Sequence, residues 1–144
     1  MSAKVLGVTA VRNGQGGILI GSNTDSITVS GGCDFGGSAH GSGVILVNDQ
    51  GGRNPQNILL SDLHTFNNNY AGILVEQGEH VIIANCLCSG HDHIGVRRHE
   101  GQDWGIKVDS EAKDVVLTSN LCYGNNQVDV AAESSDSAVK HEGN

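Results

Sequence analysis

The residues best suited to chemistry lie in one polar stretch, residues 90–104. This stretch holds three of the seven histidines, the only adjacent pair of arginines and the single tryptophan of the chain. An arginine can neutralise a sugar carboxylate, an imidazole can take a proton from carbon, and an indole can stack on a sugar face. If the chain is an enzyme, we therefore expect its catalytic residues to be His91, His93, Arg97, Arg98 and His99. The expected substrate-binding residues are Trp104, Lys107 and Arg53.

A metal site and a merely solvated loop are the competing interpretations of this stretch. His91 and His93 are two residues apart, so on a strand they would share one face, and Asp92 and His99 add further ligand types. An isolated His-x-His pair is common by chance, and no Cys-x-x-Cys accompanies it. The acidic residues between positions 109 and 114 fit a charged edge better than a calcium site. We therefore expect neither a metal nor another cofactor.

A repeat predicts the elements that position these residues. Four segments align without a gap: Ile27–Phe35, Ile58–Phe66, Val81–Ser89 and Val115–Tyr123. Their first residues are β-branched and aliphatic, and the residues two positions later are Val29, Leu60, Ile83 and Leu117. A spacing of two places side chains on one face of a strand, so both columns are predicted to face a core. The same alignment predicts that His64 is an inner histidine and that Cys88 and Cys122 pack together as small apolar groups.

A second set of strands precedes the aligned segments and begins with Gly17, Gly43, Gly72 and Gly105. One such unit is too small to bury its own apolar face. Stacked units, roughly 4.8 Å apart, would pair each strand in parallel with its equivalents above and below. The sequence therefore predicts an all-β solenoid of about five coils over residues 1–132. Residues 133–144 are predicted to be a polar tail that either covers the last coil or is disordered.

Two registers remain open for the polar stretch. Either a strand starts at Ile94 and residues 97–114 are inserted after it, or the strand starts at Gly105. In both cases we expect residues 97–104 to project from the stacked coils and to carry the binding surface. Trp104 is the expected main contact, because a chain with one Trp, two Tyr and two Phe offers it no aromatic core to join.

The repeat resembles that of a known superfamily. Val81–Ser89 followed by Gly90, and Val115–Tyr123 followed by Gly124-Asn125-Asn126, are similar to the coils of right-handed parallel β-helix proteins of the pectate-lyase-like superfamily. The resemblance implies a right-handed parallel β-helix over about residues 5–130. It also implies a carbohydrate-binding or carbohydrate-processing module, similar to uronate lyases and epimerases if it is catalytic. The alternative it implies is a non-catalytic structural module of a viral tailspike, fibre or other oligomeric surface assembly.

Glycoside hydrolysis is a less favoured activity. The fragments Asn23-Thr24-Asp25, Gly90-His91-Asp92 and Gly105-Ile106-Lys107 resemble parts of the polygalacturonase signature. That family also needs an Asp-Asp pair, which this chain lacks, and inverting hydrolysis requires two carboxylates that flank the bond. Asn23 and Asp25 are therefore expected to be turn residues.

Charge and composition limit the partners. The formal net charge is −8, which disfavours nucleic acid, because binding phosphates requires a basic surface. No apolar run is long enough to insert into a membrane, and four cysteines are too few for a disulfide scaffold. The expected partner is a polysaccharide or glycan. Without an apparent signal peptide the localisation stays open, extracellular and virion-associated sites included.

The first strands predict self-association. Val5, Val8 and Val11 already fit the coil pattern, and no capping helix precedes them. Unpaired strand edges and exposed aliphatic side chains favour pairing with another chain. We therefore expect a homo-oligomer.

Overall fold

The computed structural model describes residues 2–90, 101–133 and 140–142. These residues form strands and turns without a helix, and so include no helix long and apolar enough to cross a membrane. The strands pair in parallel in three sheets. Sheet 1 contains β1 (Ala3–Leu6), β4 (Asp25–Ser30), β7 (Gln56–Ser61), β10 (Glu79–Ala84), β13 (Lys113–Thr118) and β16 (Lys140–Glu142). Sheet 2 contains β2 (Thr9–Val11), β5 (Asp34–Gly36), β8 (His64–Phe66), β11 (Leu87–Ser89) and β14 (Leu121–Tyr123). Sheet 3 contains β3 (Ile18–Ile20), β6 (Val44–Leu46), β9 (Ala71–Val75), β12 (Trp104–Val108) and β15 (Val128–Ala132).

Each coil contributes one strand to each sheet, so the predicted all-β parallel β-helix of about five coils is confirmed. Coils 1 to 5 span residues 3–20, 25–46, 56–75, 79–108 and 113–132. Every strand of a middle coil pairs with its equivalents in the coils on both sides. The short strand β16 pairs in parallel with β13 and places Lys140 opposite Val116.

The inward columns predicted from the repeat are confirmed. Ile27, Ile58, Val81 and Val115 lie opposite one another in sheet 1, and so do Val29, Leu60, Ile83 and Leu117. All are buried in one continuous core except Ile27, which is partly buried and packs against it. The alternation of the strand therefore separates a core side from an outer side in every coil.

The predicted position of His64 is wrong by one residue. Two residues separate the strands of sheets 1 and 2 in coil 3, but coil 2 has three, Gly31-Gly32-Cys33. Asp34 rather than Cys33 therefore pairs with His64. Thr65 occupies the inward position beside it, and His64 lies on the outer side, where its Nδ1 is 3.2 Å from Asp34 Oδ1.

The position of residues 101–104 also corrects the sequence analysis. Trp104 begins β12, which pairs with β9 on one side and β15 on the other, so the strand at Gly105 is the correct register and the one at Ile94 is wrong. Gly101 and Gln102 are buried. Residues 101–104 therefore belong to the stacked coils and do not project from them.

Buried amides hold this part of coil 4 against its neighbours. Gln102 is fully buried; its Oε1 accepts from Asn68 Nδ2 at 3.1 Å, and its Nε2 donates to Asn125 Oδ1 at 2.8 Å. Asn68 Nδ2 also donates to the carbonyl of Phe35 at 3.2 Å. Amide side chains both donate and accept, so a vertical chain of them satisfies buried polar groups from coil 2 to coil 5.

Replacing Ile83 by alanine is expected to lower the free energy of unfolding by about 2–5 kcal/mol, because its side chain fills the core. Its neighbour Ile82 points outward and is 44% exposed, so Ile82→Ala should cost less than about 1 kcal/mol. Urea denaturation of the two variants measures both values. Equal losses at the two positions would contradict the inward assignment of Ile83.

Candidate functional site

Lys107 lies on the outer side of sheet 3. Its neighbours Ile106 and Val108 are fully buried, so the alternation of β12 directs Lys107 away from the core. The register places it opposite Leu74 in β9 and Ala131 in β15. A lysine at this position therefore stands on an apolar outer surface.

Two aromatic side chains flank this lysine. Tyr70 directly precedes β9, and Trp104 is the first residue of β12, so stacking of coils 3 and 4 brings them together. Their ring centroids are 4.7 Å apart at an interplanar angle of 65°, an edge-to-face contact. Lys107 Nζ lies 4.9 Å from the Trp104 ring centroid and 5.4 Å from that of Tyr70, which is within the range of cation–π attraction.

Polar contacts fix the ammonium group of Lys107. Its Nζ donates to the Tyr70 hydroxyl at 3.0 Å and forms an ion pair with Asp109 Oδ1 at 2.9 Å, while Glu133 Oε1 lies 4.0 Å away. The side chain is only 11% exposed. The hydrogen bond to Tyr70 and the one to Asp109 raise the pKa of Lys107 above its ordinary value. The lysine is therefore a permanent cation whose charge is offset by nearby carboxylates.

The surface next to this cluster is acidic. Glu76, Asp109, Glu111 and Glu133 line one shallow depression together with Gln77 and Ser110. Gln77 donates from Nε2 to Glu111, and this hydrogen bond connects the turns that follow β9 and β12. The cluster of Tyr70, Trp104 and Lys107, called here the aromatic–lysine cluster, therefore borders a negative rim.

The structure brings together two of the three predicted binding residues. Trp104 and Lys107 are in contact, and Tyr70 is a third member that the sequence analysis missed. Aligning Gly72 with Gly105 would have found it, because this alignment places the residues before each glycine in neighbouring coils. Arg53 lies elsewhere, in the exposed loop between β6 and β7, where its backbone NH donates to Asn23 Oδ1.

The predicted catalytic residues His91, His93, Arg97, Arg98 and His99 lie outside the described residues, as does Asp92. In the described part of the chain, no three His, Cys, Asp or Glu side chains are grouped so that they could hold a metal ion. Asn23 has a φ of 60°, its NH donates to the carbonyl of Arg53 and its Oδ1 accepts from the Arg53 NH, which is the behaviour of a turn residue. Asp25 begins β4 and accepts hydrogen bonds from Asn57 and Ser26.

Comparison with known proteins gave no match to a family model, a curated protein or a solved structure.

Replacing Lys107 by methionine is expected to lower the free energy of unfolding by about 1–3 kcal/mol, because Tyr70 and Asp109 lose their charged partner. The raised pKa means that the ammonium contributes at every pH below the ordinary lysine value of about 10.4, and that the contribution falls only as the pH rises through the folded-state pKa. Denaturation of both proteins from neutral to alkaline pH measures the difference.

Lys113→Met is the matched control. Lys113 is 63% exposed and its Nζ lies 3.7 Å from Glu79 Oε1, so its loss should cost less than about 1 kcal/mol. A Lys107 variant that is no less stable than the control would show that the contacts of the cluster are energetically neutral.

Proposed function

We propose that this protein is a carbohydrate-binding parallel β-helix module of the pectate-lyase-like type, and that the aromatic–lysine cluster is its binding surface. One observation carries the proposal: Tyr70 and Trp104 form a partly exposed aromatic pair outside the core. The two phenylalanines, by contrast, are buried. Three of the five aromatic residues remain, and stacking places two of them side by side around one lysine.

The chemistry of the cluster suits a sugar. A pyranose ring presents apolar CH groups on its faces and hydroxyl groups around its edge. An indole and a phenol ring offer an apolar surface for the face, and the Tyr70 hydroxyl, Lys107 and Asp109 offer hydrogen-bonding groups at its border. Trp104 and Lys107 stand on a paired strand and Tyr70 directly precedes one, and this rigid support reduces the entropy lost when a ligand binds.

Local charge favours a neutral glycan over a polyuronate at this surface. Asp109 and Glu133 offset the charge of Lys107, and Glu76 and Glu111 add further negative charge beside them. The whole chain also carries a net charge of −8. Repulsion from these carboxylates would weaken an anionic polymer unless other cations compensate. Arg97 and Arg98 are the residues with the charge to do so.

A glycan screen with intact protein and Trp104→Ala tests the proposal. We expect the wild type to bind a subset of neutral glycans and the variant to bind them at least about tenfold more weakly, because the stacking surface is lost. Tyr123→Ala is the matched control: Tyr123 is an exposed aromatic residue on sheet 2, away from the cluster, and its loss should leave binding unchanged. Equal binding by wild type and Trp104→Ala would reject this surface.

Catalysis is a separate step in the proposal. A lyase or epimerase acting on a uronate would use a histidine of residues 91–99 to take the C5 proton and an arginine to neutralise the carboxylate. Ultraviolet absorbance of unsaturated products from uronate polymers detects a lyase, and solvent deuterium incorporation detects an epimerase. Binding without either signal would leave a non-catalytic module.

A structural role in an oligomeric assembly is the second candidate, and one observation favours it. Coil 1 exposes several aliphatic side chains, among them Leu6 at 60% and Leu19 at 55%. Its inward residues Val5, Ala10 and Ile18 are only partly buried, whereas the equivalent residues of the middle coils are buried. Contact with another chain would remove this apolar surface from water.

Multi-angle light scattering at micromolar concentration tests the second candidate. We expect a mass that is a multiple of 15.0 kDa and a shift toward the single-chain mass in Leu6→Glu/Leu19→Glu, because charges would then occupy the exposed aliphatic surface. Ile82→Glu changes an exposed aliphatic residue on sheet 1 and should leave the mass unchanged. A wild-type protein of 15.0 kDa would contradict the assembly.

A further inference from the structure

Two of the four cysteines lie directly opposite each other. Cys88 in β11 pairs with Cys122 in β14, and both are inward residues of sheet 2. Paired residues of neighbouring strands lie roughly 4.8 Å apart, within the Cα separation of about 4.4–6.8 Å that a disulfide requires. The Cys122 thiol also contributes to the raised pKa of the Cys88 thiol, as expected of side chains that lie next to each other. The register of coils 4 and 5 therefore places the two cysteines at a Cα separation that a disulfide can span.

The other two thiols are held by backbone groups. Cys33 Sγ donates to the carbonyl of Ser30 at 3.1 Å and accepts from the NH of Val8 at 3.3 Å. Cys86 Sγ donates to the carbonyls of Ala84 at 3.3 Å and Leu60 at 3.8 Å. These contacts hold Cys33 and Cys86 against the backbone, whereas Cys88 and Cys122 lie opposite each other on neighbouring strands.

Access to the pair is asymmetric. Cys88 is fully buried, with Thr65 on the preceding coil and Cys122 on the next. Cys122 is only partly buried, because β14 is the last strand of sheet 2 in the described residues and pairs on one side only. A small reagent can therefore reach Cys122 first, and Cys88 only through it.

We propose that Cys88 and Cys122 are a dithiol site that low-molecular-weight disulfides oxidise to an intramolecular disulfide joining coils 4 and 5. The Cys122 thiolate attacks one sulfur of a reagent such as oxidised glutathione, forms a mixed disulfide and releases one reduced thiol. The Cys88 thiolate then attacks the Cys122 sulfur, forms the Cys88–Cys122 bond and expels the second reduced thiol. The protein loses two electrons and two protons, and the reagent gains both.

The environment of Cys88 sets the speed of the second step. The hydrogen bond with Cys122 and burial in the core raise the pKa of the Cys88 thiol well above its ordinary value. Because only the thiolate attacks, closure should be slow near neutral pH and faster as the pH rises. The mixed disulfide on Cys122 should therefore accumulate before the intramolecular bond forms.

The experiment incubates the full chain with oxidised glutathione under native conditions and then counts free thiols after unfolding and alkylation. We expect the four thiols of the wild type to fall to two, and peptide mapping to locate the bond between Cys88 and Cys122. Thermal unfolding of the oxidised form should shift upward by roughly 5–10 °C, because the bond restricts the unfolded chain. Four free thiols after prolonged incubation, or a bond from Cys122 to Cys86, would overturn the proposal.

Single variants separate the two steps. Cys88→Ser should stop at a stable glutathione adduct on Cys122, and Cys122→Ser should keep all its remaining thiols free. Cys33→Ser is the control and should still form the Cys88–Cys122 bond, since Cys33 lies in a turn between β4 and β5. An adduct on Cys88 in the Cys122→Ser variant would overturn the proposed order of attack. The wild-type result decides the pairing even if a serine variant fails to fold.

Discussion

Each strand of a middle coil forms backbone hydrogen bonds with its equivalents in the coils on both sides, and this pairing holds only where successive coils keep the same register. The turn from sheet 1 to sheet 2 meets this requirement with two residues in coils 3, 4 and 5, and its first residue is left-handed: Asp62, Asn85 and Ser119 have φ values of 54°, 54° and 52°. Short polar side chains tolerate this conformation, which explains the polar residues at this corner. The connections from sheet 2 to sheet 3 and from sheet 3 to sheet 1 differ in length from coil to coil, while the strands that they join keep their parallel pairing.

The inward columns could be predicted because a period of two in Ile, Val and Leu reports directly on the side of a strand that is buried. The extra residue in Gly31-Gly32-Cys33 could not be predicted from these columns, since both strands beside it keep their own alternation. Only the pairing of Asp34 with His64 reveals it. The added residue shifts the following strand of coil 2 alone, so the true equivalents of Asp34 are His64, Leu87 and Leu121, all on the outer side of sheet 2. Aligning His64 with the buried Cys33 instead gave the wrong prediction of an inner histidine.

The site was less predictable than the fold because its members are distant in the sequence. Lys107 and Trp104 are close along the chain, but Tyr70 joins them only through the stacking of coils 3 and 4. The polar composition of residues 90–104 also led to the wrong prediction that residues 101–104 form a solvated loop. Gln102 is instead buried, because Asn68 and Asn125 satisfy its amide. A polar residue in a solenoid can therefore be a core residue when an equivalent polar residue stands in the next coil.

The buried amide chain has a consequence for how this architecture can diversify. Gly90 marks one boundary of the connection in coil 4: its NH donates to the carbonyl of Tyr123, and a Cβ added there would lie 1.9 Å from the carbonyl oxygen of Gly124. Gln102 marks the other boundary through its two amide contacts. Both boundaries therefore contact neighbouring coils. The register of coil 4 at Gly90 and at Gln102 is therefore set by contacts with coils 3 and 5, and such contacts are what lets a solenoid keep its register while its connections change in sequence and length.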